Sequence, residues 1–398
     1  MFPRTLEPRL RTLAATFPAV FLTGPRQSGK TTLARVTFPD FHYVSLEDLQ
    51  NRQEAIEDPR GFLRRLEGKS GVILDEVQRT PDLFSYLQGF LDEARSGPMV
   101  LTGSQNFLMS ERISQSLAGR VAILELLPLS IAELAGRPAL LPEDLAAPAT
   151  LHVERPSRSL EEILFQGLFP RIHDRQLDAA LWLDGYLRTY IERDVRQLSN
   201  IGNLETFRRF LSLCAGRSGQ LLNSSALAVE AGVTHPTARS WISVLQASYI
   251  LLLLKPHHEN FNKRLVKSPK LYFLDAGLLC HLLGLRRPED LLVHPLRGAI
   301  FETFIISELH KVFLHHGQPS ALYFWRDSAG REVDALLDLG TRRIPVEVKA
   351  GQTLAGDVFR GLDHYLGLSG GESGVLMYGG EESYVRRNHV VRSWWQCG

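Results

Sequence analysis

The 398-residue sequence has no long apolar run. Its longest purely aliphatic stretch, ILLLL at 250–254, falls far short of the roughly 20 residues a membrane-spanning helix needs, so no membrane segment is expected. The N-terminal MFPRTLEPRL lacks the continuous apolar core of a secretory signal, which points to a cytoplasmic location. Cysteine is scarce: Cys214, Cys280 and Cys397 are scattered, which suits a reducing compartment and makes no zinc-spaced cluster. Net charge is also nearly absent, with 45 Lys and Arg against 44 Asp and Glu, so any nucleic-acid surface must be a local patch. A hydrophobic content of 44% and a charged content of 22% are ordinary for a globular chain, and at about 150 residues per domain two or three domains are expected.

Against that plain background GPRQSGKTTL at 24–33 stands out, because it follows the apolar run AVFLT and opens a helix-compatible segment. Gly24, Gly29, Lys30 and Thr31 occupy the fixed positions of G-x-x-x-x-G-K-[ST]. Glycines at that spacing let successive backbone N–H groups turn toward phosphate oxygens, and the helix start adds a positive dipole end. Residues Gly24, Pro25, Arg26, Gln27, Ser28, Gly29, Lys30, Thr31 and Thr32 are therefore the expected nucleotide loop, with Lys30 on the β- and γ-phosphates and Thr31 on Mg²⁺. The bland alternative is a glycine turn between two elements.

Strand-like runs AVFLT, FHYVSL, GVILDE, MVLTGS and VAILEL alternate with helical stretches, which predicts a mostly parallel α/β sheet with phosphates at its carboxyl ends. GVILDE ends in two carboxylates. Asp75 is expected on the metal, and Glu76 on the attacking water. The polar exit of MVLTGSQN makes Ser104, Gln105 and Asn106 candidates for sensing the γ-phosphate, Gln105 being the one taken as catalytic. Arg120 in SLAGRV is a candidate arginine finger toward a neighbouring subunit, with a surface salt bridge as the alternative.

Beyond residue 128 the sequence divides into a linker and helical lid (129–200), a DNA-binding pattern (201–290) and a C-terminal unit (291–398), after a nucleotide core at 1–128. In the middle, Leu227, Ala228 and Ala231 fall on the inner face of one helix, Gly232 permits a turn, and Thr234 with Pro236 opens a second helix that buries Ala238, Trp241, Ile242 and Leu245. That is a helix-turn-helix pattern. The stretch KPHHENFNKRLVKSPK at 255–270, with five Lys or Arg against one acid, reads as a basic wing between strands YILLLL and LYFL. Arg239, Lys263, Arg264 and Lys267 are the candidate DNA contacts, with a protein-docking role as the alternative.

In the C-terminal unit, LRGAIFETFIISELHKVFLHHG lines up an apolar helix face with Glu308 near its middle and Glu302 at its edge. Buried carboxylates need partners or metal. Alternation in RIPVEVKAG places Glu347 and Lys349 on one strand face, and hairpin pairing with REVDALLDL brings Asp334 alongside. The constellation resembles the PD-(D/E)XK nuclease core, which implies Asp334 and Glu347 as ligands of a Mg²⁺ or Mn²⁺, Lys349 on the attacking water and Glu302 as the helix acid. The proline that gives that motif its name is absent before Asp334.

The set LTGPRQSGKTTL, ILDEVQ, LTGSQNF and SLAGRV, with the later GLFP and YLRTYIERDV, resembles a large family of prokaryotic AAA-type ATPases that carry a nuclease-like C-terminal domain of unknown function. The resemblance implies an α/β fold class: a P-loop parallel sheet with a helical lid, a winged helix-turn-helix middle and a restriction-endonuclease-like C-terminal domain. It implies ATP and Mg²⁺ as cofactors and a homo-oligomer, a hexameric ring among the candidates. Three functional readings stay open at this point: an ATP-driven machine on single-stranded, duplex or branched DNA, a nucleotide-dependent switch that docks a protein partner, and an ATP-gated DNA nuclease.

Overall fold

All five apolar runs near the N-terminus become strands within one residue of the expected bounds at each end: β1 (Ala19–Thr23), β2 (His42–Ser45), β3 (Val72–Asp75), β4 (Met99–Gly103) and β5 (Val121–Glu125). The computed structural model describes residues 2–104, 117–148, 156–191, 203–257 and 267–398. Two compact units are present, Pro3–Pro128 with Leu314–Gln318, and Leu129–Phe313 with Pro319–Gly398.

In the first unit the strand order is β2-β3-β4-β1-β5, and every pairing is parallel. Alternation divides the side chains between two covered faces, as a sheet buried on both sides requires. Ala19, Phe21, Val72, Leu74, Met99 and Leu101 pack with Phe62 of α4 (Pro59–Arg64) and with Phe84 and Leu87 of α5 (Leu83–Asp92). Val20, Leu22, Ile73 and Val100 pack with Leu10 and Leu13 of α1 (Glu7–Thr16) and Leu33 of α2 (Lys30–Thr37). A fifth helix, α3 (Leu49–Glu57), is capped by the Asp48 side chain on the Asn51 N–H.

The second unit begins with α6 (Ile131–Leu134) and α7 (Leu160–Gln166), each opened by a serine whose side chain accepts from the N–H of a glutamate three residues on, while that glutamate reaches back. There follow α8 (Pro170–Asp174), α9 (Ala179–Tyr186), α10 (Leu204–Ala215), β6 (Gln220–Leu221), α11 (Ser224–Ala231), α12 (His235–Ala247), β7 (Leu251–Leu254) and β8 (Lys270–Phe273). Strands β6, β8 and β7 form a small antiparallel sheet. The inner faces of α11 and α12 bury Leu227, Ala228, Ala231, Ala238, Trp241, Ile242 and Leu245, the positions periodicity assigned to them.

After α13 (Ala276–Leu282) and α14 (Asp290–Val293), the long α15 (Arg297–Leu314) leads into an antiparallel meander β9 (Leu322–Arg326), β10 (Glu332–Asp338) and β11 (Arg343–Lys349). Helix α16 (Arg360–Ser369) then returns the chain to β12 (Val375–Tyr378), parallel to β11, and β13 (Tyr384–Arg386) and β14 (His389–Ser393) complete the order β13-β14-β12-β11-β10-β9. One face packs on Phe301, Phe304 and Leu309 of α15, and the other on Leu362 and Tyr365 of α16. The segments drawn separately in the sequence at 129–200, 201–290 and 291–398 share one continuous core here, from Leu129 through Trp241 and Phe301 to Trp394.

Glu308 is the buried carboxylate that periodicity placed mid-stripe, and its partner is Lys311 one turn on, at 2.7 Å. The other Glu308 oxygen accepts from the Ile131 N–H at 2.8 Å, and Lys311 Nζ also donates to the Leu129 carbonyl at 2.9 Å. The pair thus ties α15 to the start of α6.

Candidate active site

The loop from Gly24 to Gly29 lies between the carboxyl end of β1 and the start of α2. Gly24 has φ 146° and its α-carbon faces the Leu126 backbone so closely that a side chain would run into that carbonyl. Gly29 has φ 95°, a left-handed N-cap that leaves the first N–H groups of α2 open to an anion. Arg4 braces the loop from α1's approach, donating to the Ser28 carbonyl at 2.7 Å and the Leu127 carbonyl at 2.6 Å.

Lys30 is buried and its ammonium folds back onto the loop, donating to the carbonyls of Gly24 at 3.0 Å and Pro25 at 2.7 Å. Burial pushes its pKa down to about 8, a shift that Glu76 and Asp75 oppose and Arg26 reinforces. Thr31 Oγ1 donates to Asp75 Oδ1 at 2.8 Å, so the loop and the end of β3 meet at one carboxylate. Tyr43 on β2 donates to Asp75 Oδ2 at 2.8 Å, and Thr102 on β4 also donates to Oδ1. Glu76 follows at φ 60°, and Gln78 Nε2 bridges its Oε2 at 2.6 Å and Ser104 Oγ at 3.1 Å.

The sequence reading missed Tyr43 and Gln78. For Tyr43 the available signal was a polar strand centre, HYVS, beside the strand that ends in Asp75. For Gln78 it was the amide two residues past Glu76.

A nucleotide fits what is here. The Ser28 hydroxyl is buried without a hydrogen-bond partner among the described residues, the N-cap is open, and the Lys30 ammonium rests on neutral carbonyls that a phosphate can outcompete. Pro25, Arg26, Gln27 and Thr32 complete the loop and the first turn of α2. Gln105 lies outside the described residues. Arg120 stands next to β5's first residue, its own carbonyl accepting from the Ala19 N–H, so it is at the amino ends of the parallel strands and away from its own loop. There its guanidinium holds Asp92 through two bonds of 2.6 and 2.9 Å.

In the second unit, Glu347 and Lys349 pair at 2.6 Å, and Asp334 on the adjoining strand accepts from the Val348 N–H at 2.8 Å. Burial and then the Asp334 charge raise Glu347 to about 7, and the same two causes raise Glu302. Glu302 accepts from Tyr272 at 2.6 Å and Lys270 at 3.2 Å. Lys270 was counted among the five cations of a basic wing. The structure turns it inward instead: it is buried and ion-paired. Of the candidate DNA contacts, Arg239 and Lys267 are exposed, while Lys263 and Arg264 lie outside the described residues. Among the described residues no three His, Cys, Asp or Glu side chains are grouped to hold a metal ion.

A five-stranded parallel sheet with a phosphate loop after β1 and a carboxylate at the end of β3, which lies one strand further across β4, has the fold of a P-loop NTPase. The AAA domain family matches residues 16–135, a domain of unknown function (DUF8612) residues 157–289, and another (DUF4143) residues 297–396. Two uncharacterized proteins, of Mycobacterium tuberculosis and Mycobacterium bovis, are each 33% identical over 354 residues, 88% of this chain and 74% of theirs. The chain belongs to the same family as these mycobacterial proteins. An uncharacterized protein of Haemophilus influenzae is 20% identical over 295 residues, 66% of this chain and 68% of its own. Among solved structures, the Walker-type ATPase of Pyrococcus abyssi has a TM-score of 0.48 at 15% identity, covering 71% of this chain and 96% of that one. A Thermotoga maritima RuvB mutant has a TM-score of 0.33 at 20% identity, covering 62% and 88%. Neither score reaches 0.5. Among the described residues no helix is long and apolar enough to cross a membrane.

Proposed function

We propose that the chain hydrolyses ATP at the Lys30, Thr31, Asp75 and Glu76 site and uses turnover to act on DNA. The observation that carries the reading is the 2.8 Å bond from Thr31 to Asp75, which joins the phosphate loop to the carboxylate at the end of β3. Thr31 and Asp75 are the residues to hold Mg²⁺, which when bound with ATP neutralises charge on the β- and γ-phosphates. Lys30 exchanges its two loop carbonyls for phosphate oxygens. Glu76, oriented by Gln78, accepts the proton of the attacking water. Arg120 is a strand's length from its own loop, about 16 Å at 3.3 Å per residue. Its finger role therefore requires a second copy of the chain, with the Asp92 pair giving way on assembly.

The order α10-β6-α11-α12-β7-β8 supports a winged-helix reading of the middle segment, with Arg239 and Lys267 exposed and Lys263 and Arg264 belonging to the same proposed surface. Contacts of this kind bind backbone phosphates without reading sequence. A second reading, a nucleotide switch that docks a protein partner, is favoured by the exposed positions of α12: His235, Arg239, Ser240 and Gln246 include a single permanent cation. The order α15-β9-β10-β11-α16-β12 supports a restriction-endonuclease-like fold for the C-terminal segment, and cleavage is no part of the proposal.

The test is ATP turnover with and without single-stranded, duplex and branched DNA. DNA-stimulated turnover supports the leading reading, and turnover indifferent to every DNA moves the weight to the switch. Lys30→Ala is expected to lose nucleotide binding, whereas Glu76→Gln keeps binding and slows turnover by about 10²- to 10⁴-fold. Equal turnover in wild type and Glu76→Gln would refute the role given to Glu76.

A further inference from the structure

Six charged side chains from four elements meet in the second unit, and one of them comes from an unexpected place. Lys270 opens β8, where strand alternation sets it on the same side as Tyr272. Its side chain is 4% exposed. Its ammonium lies 3.2 Å from Glu302 Oε1, is ion-paired with Glu332, and stands 5.6 Å from the centre of the Phe324 ring. Glu302 takes a further bond from the Tyr272 hydroxyl at 2.6 Å. Across the cluster, Lys349 holds Glu347 at 2.6 Å, and one Asp334 oxygen accepts from a main-chain N–H.

A divalent ion shared by Asp334 and Glu347, which the nuclease resemblance implies, does not fit this set. Mg²⁺ and Mn²⁺ sites want oxygen ligands free to turn toward the ion, in near-octahedral number for Mg²⁺. Two ammonium groups already lie among the carboxylates. Asp334 Oδ2 and Glu302 Oε1 are already held by N–H and O–H donors, and Glu347 Oε2, buried without a hydrogen-bond partner, lies under α16 at Gly361, where an added methyl would come within 3.1 Å of it.

We propose that Lys270 stands in the place of the divalent cation: the acid cluster carries its own counter-ion, contributed by β8, and is closed to metal. Carboxylates this close repel unless a positive charge lies between them, and a lysine held by two of them supplies that charge permanently. The same contacts fasten β8 to α15 and β10, so the cluster acts as a joint between the helical segment and the C-terminal sheet.

The test is a titration of the nucleotide-free full chain with MnCl₂, read by the electron paramagnetic resonance of free Mn²⁺, which keeps it independent of ATP hydrolysis. Wild type and Lys270→Arg are expected to show no site that Asp334→Asn removes. Lys270→Met is expected to gain one Mn²⁺ per chain that wild type lacks, and Lys270→Met with Asp334→Asn to lose it again. A wild-type site that disappears in Asp334→Asn would overturn the proposal, and this arm needs no lysine variant to fold. Folded Lys270→Met without a new site would overturn it as well.

Discussion

The buried ammonium of Lys30 makes nucleotide affinity depend on pH in a direction the structure fixes. In the free protein its pKa is about 8, because burial costs the charged form more than Glu76 and Asp75 return. Phosphate oxygens at the same atom favour the charged form and raise the pKa in the complex, so binding takes up a proton wherever free Lys30 is neutral. Below about pH 8 the lysine is charged in both states and affinity is flat. Above it, the dissociation constant rises by about tenfold per pH unit: about twofold at pH 8 and about elevenfold at pH 9, taking the bound-state pKa as well above 9. The assay is fluorescence titration with a labelled ADP from about pH 7.5 upward, above the second phosphate ionisation at about pH 6. Lys30→Arg is the control, since a guanidinium does not titrate there and its curve is expected to be weaker and flat. A flat wild-type curve, or the same slope in Lys30→Arg, would refute the assignment of the effect to this ammonium.

Tyr43→Phe removes one anchor of Asp75 while Thr31 and Thr102 remain, so a loss of about 1 kcal/mol, roughly fivefold, is expected in Mg²⁺-supported ATP affinity with metal-free ADP binding unchanged; equal losses with and without Mg²⁺ would contradict it. Lys311→Met strips Glu308 of its cation in the core, and urea unfolding is expected to show a loss of about 3–5 kcal/mol, much of it recovered when Glu308→Leu is added. A loss within about 1 kcal/mol would show that the pair is not what closes that part of the core. Changing Lys263, Arg264 and Lys267 to Glu is expected to weaken DNA binding and lower its salt slope, by about one unit for each phosphate no longer neutralised, and to leave basal ATP turnover intact. An unchanged affinity and slope would favour the protein-docking switch.

Much of the first unit was legible because its signals are local. A glycine-rich loop after an apolar strand, two acids after another, and alternation within each run are set by neighbours in sequence, and β1, β3, β4 and β5 appear at those runs. The faces of α11 and α12 were legible for a similar reason, since a 3.6-residue period sorts core from surface without knowing what lies opposite. What the sequence hid depends on partners far along the chain. Lys270 looked like its neighbours Lys263 and Lys267 in one basic run, and only its pairing with Glu302 and Glu332 turns it inward. Alternation did carry a hint, since it places Lys270 with Tyr272 on one side of β8, and both donate to Glu302. For Glu308 the expected partner was nearer than the reading looked: Lys311 is one helical turn away. Strands β12 and β14 were not anticipated at all, for the apolar VLMY and HVVRS lie near the end of the chain without a motif beside them.

Lys30 and Lys270 show why burial of a lysine does not by itself mark a ligand site. Both ammonium groups are almost wholly removed from water, and in both burial pulls the pKa down. The outcomes differ in sign. Around Lys270 the charges of Glu302, Asp334 and Glu332 overcome burial and raise it, so the charge is fixed and its partners are anions that an incoming phosphate can only repel. Around Lys30 the partners in contact are two neutral carbonyls, the pKa ends low, and the group gains more from an arriving anion than from anything it now touches. The distinction is a physical criterion for sorting buried lysines: one held by carboxylates is a joint of the fold, and one held by backbone carbonyls beside an open helix N-terminus is a receptor for negative charge. On that criterion the phosphate site proposed for the first unit rests on Lys30, and the acid cluster around Lys270 in the second is a joint of the fold.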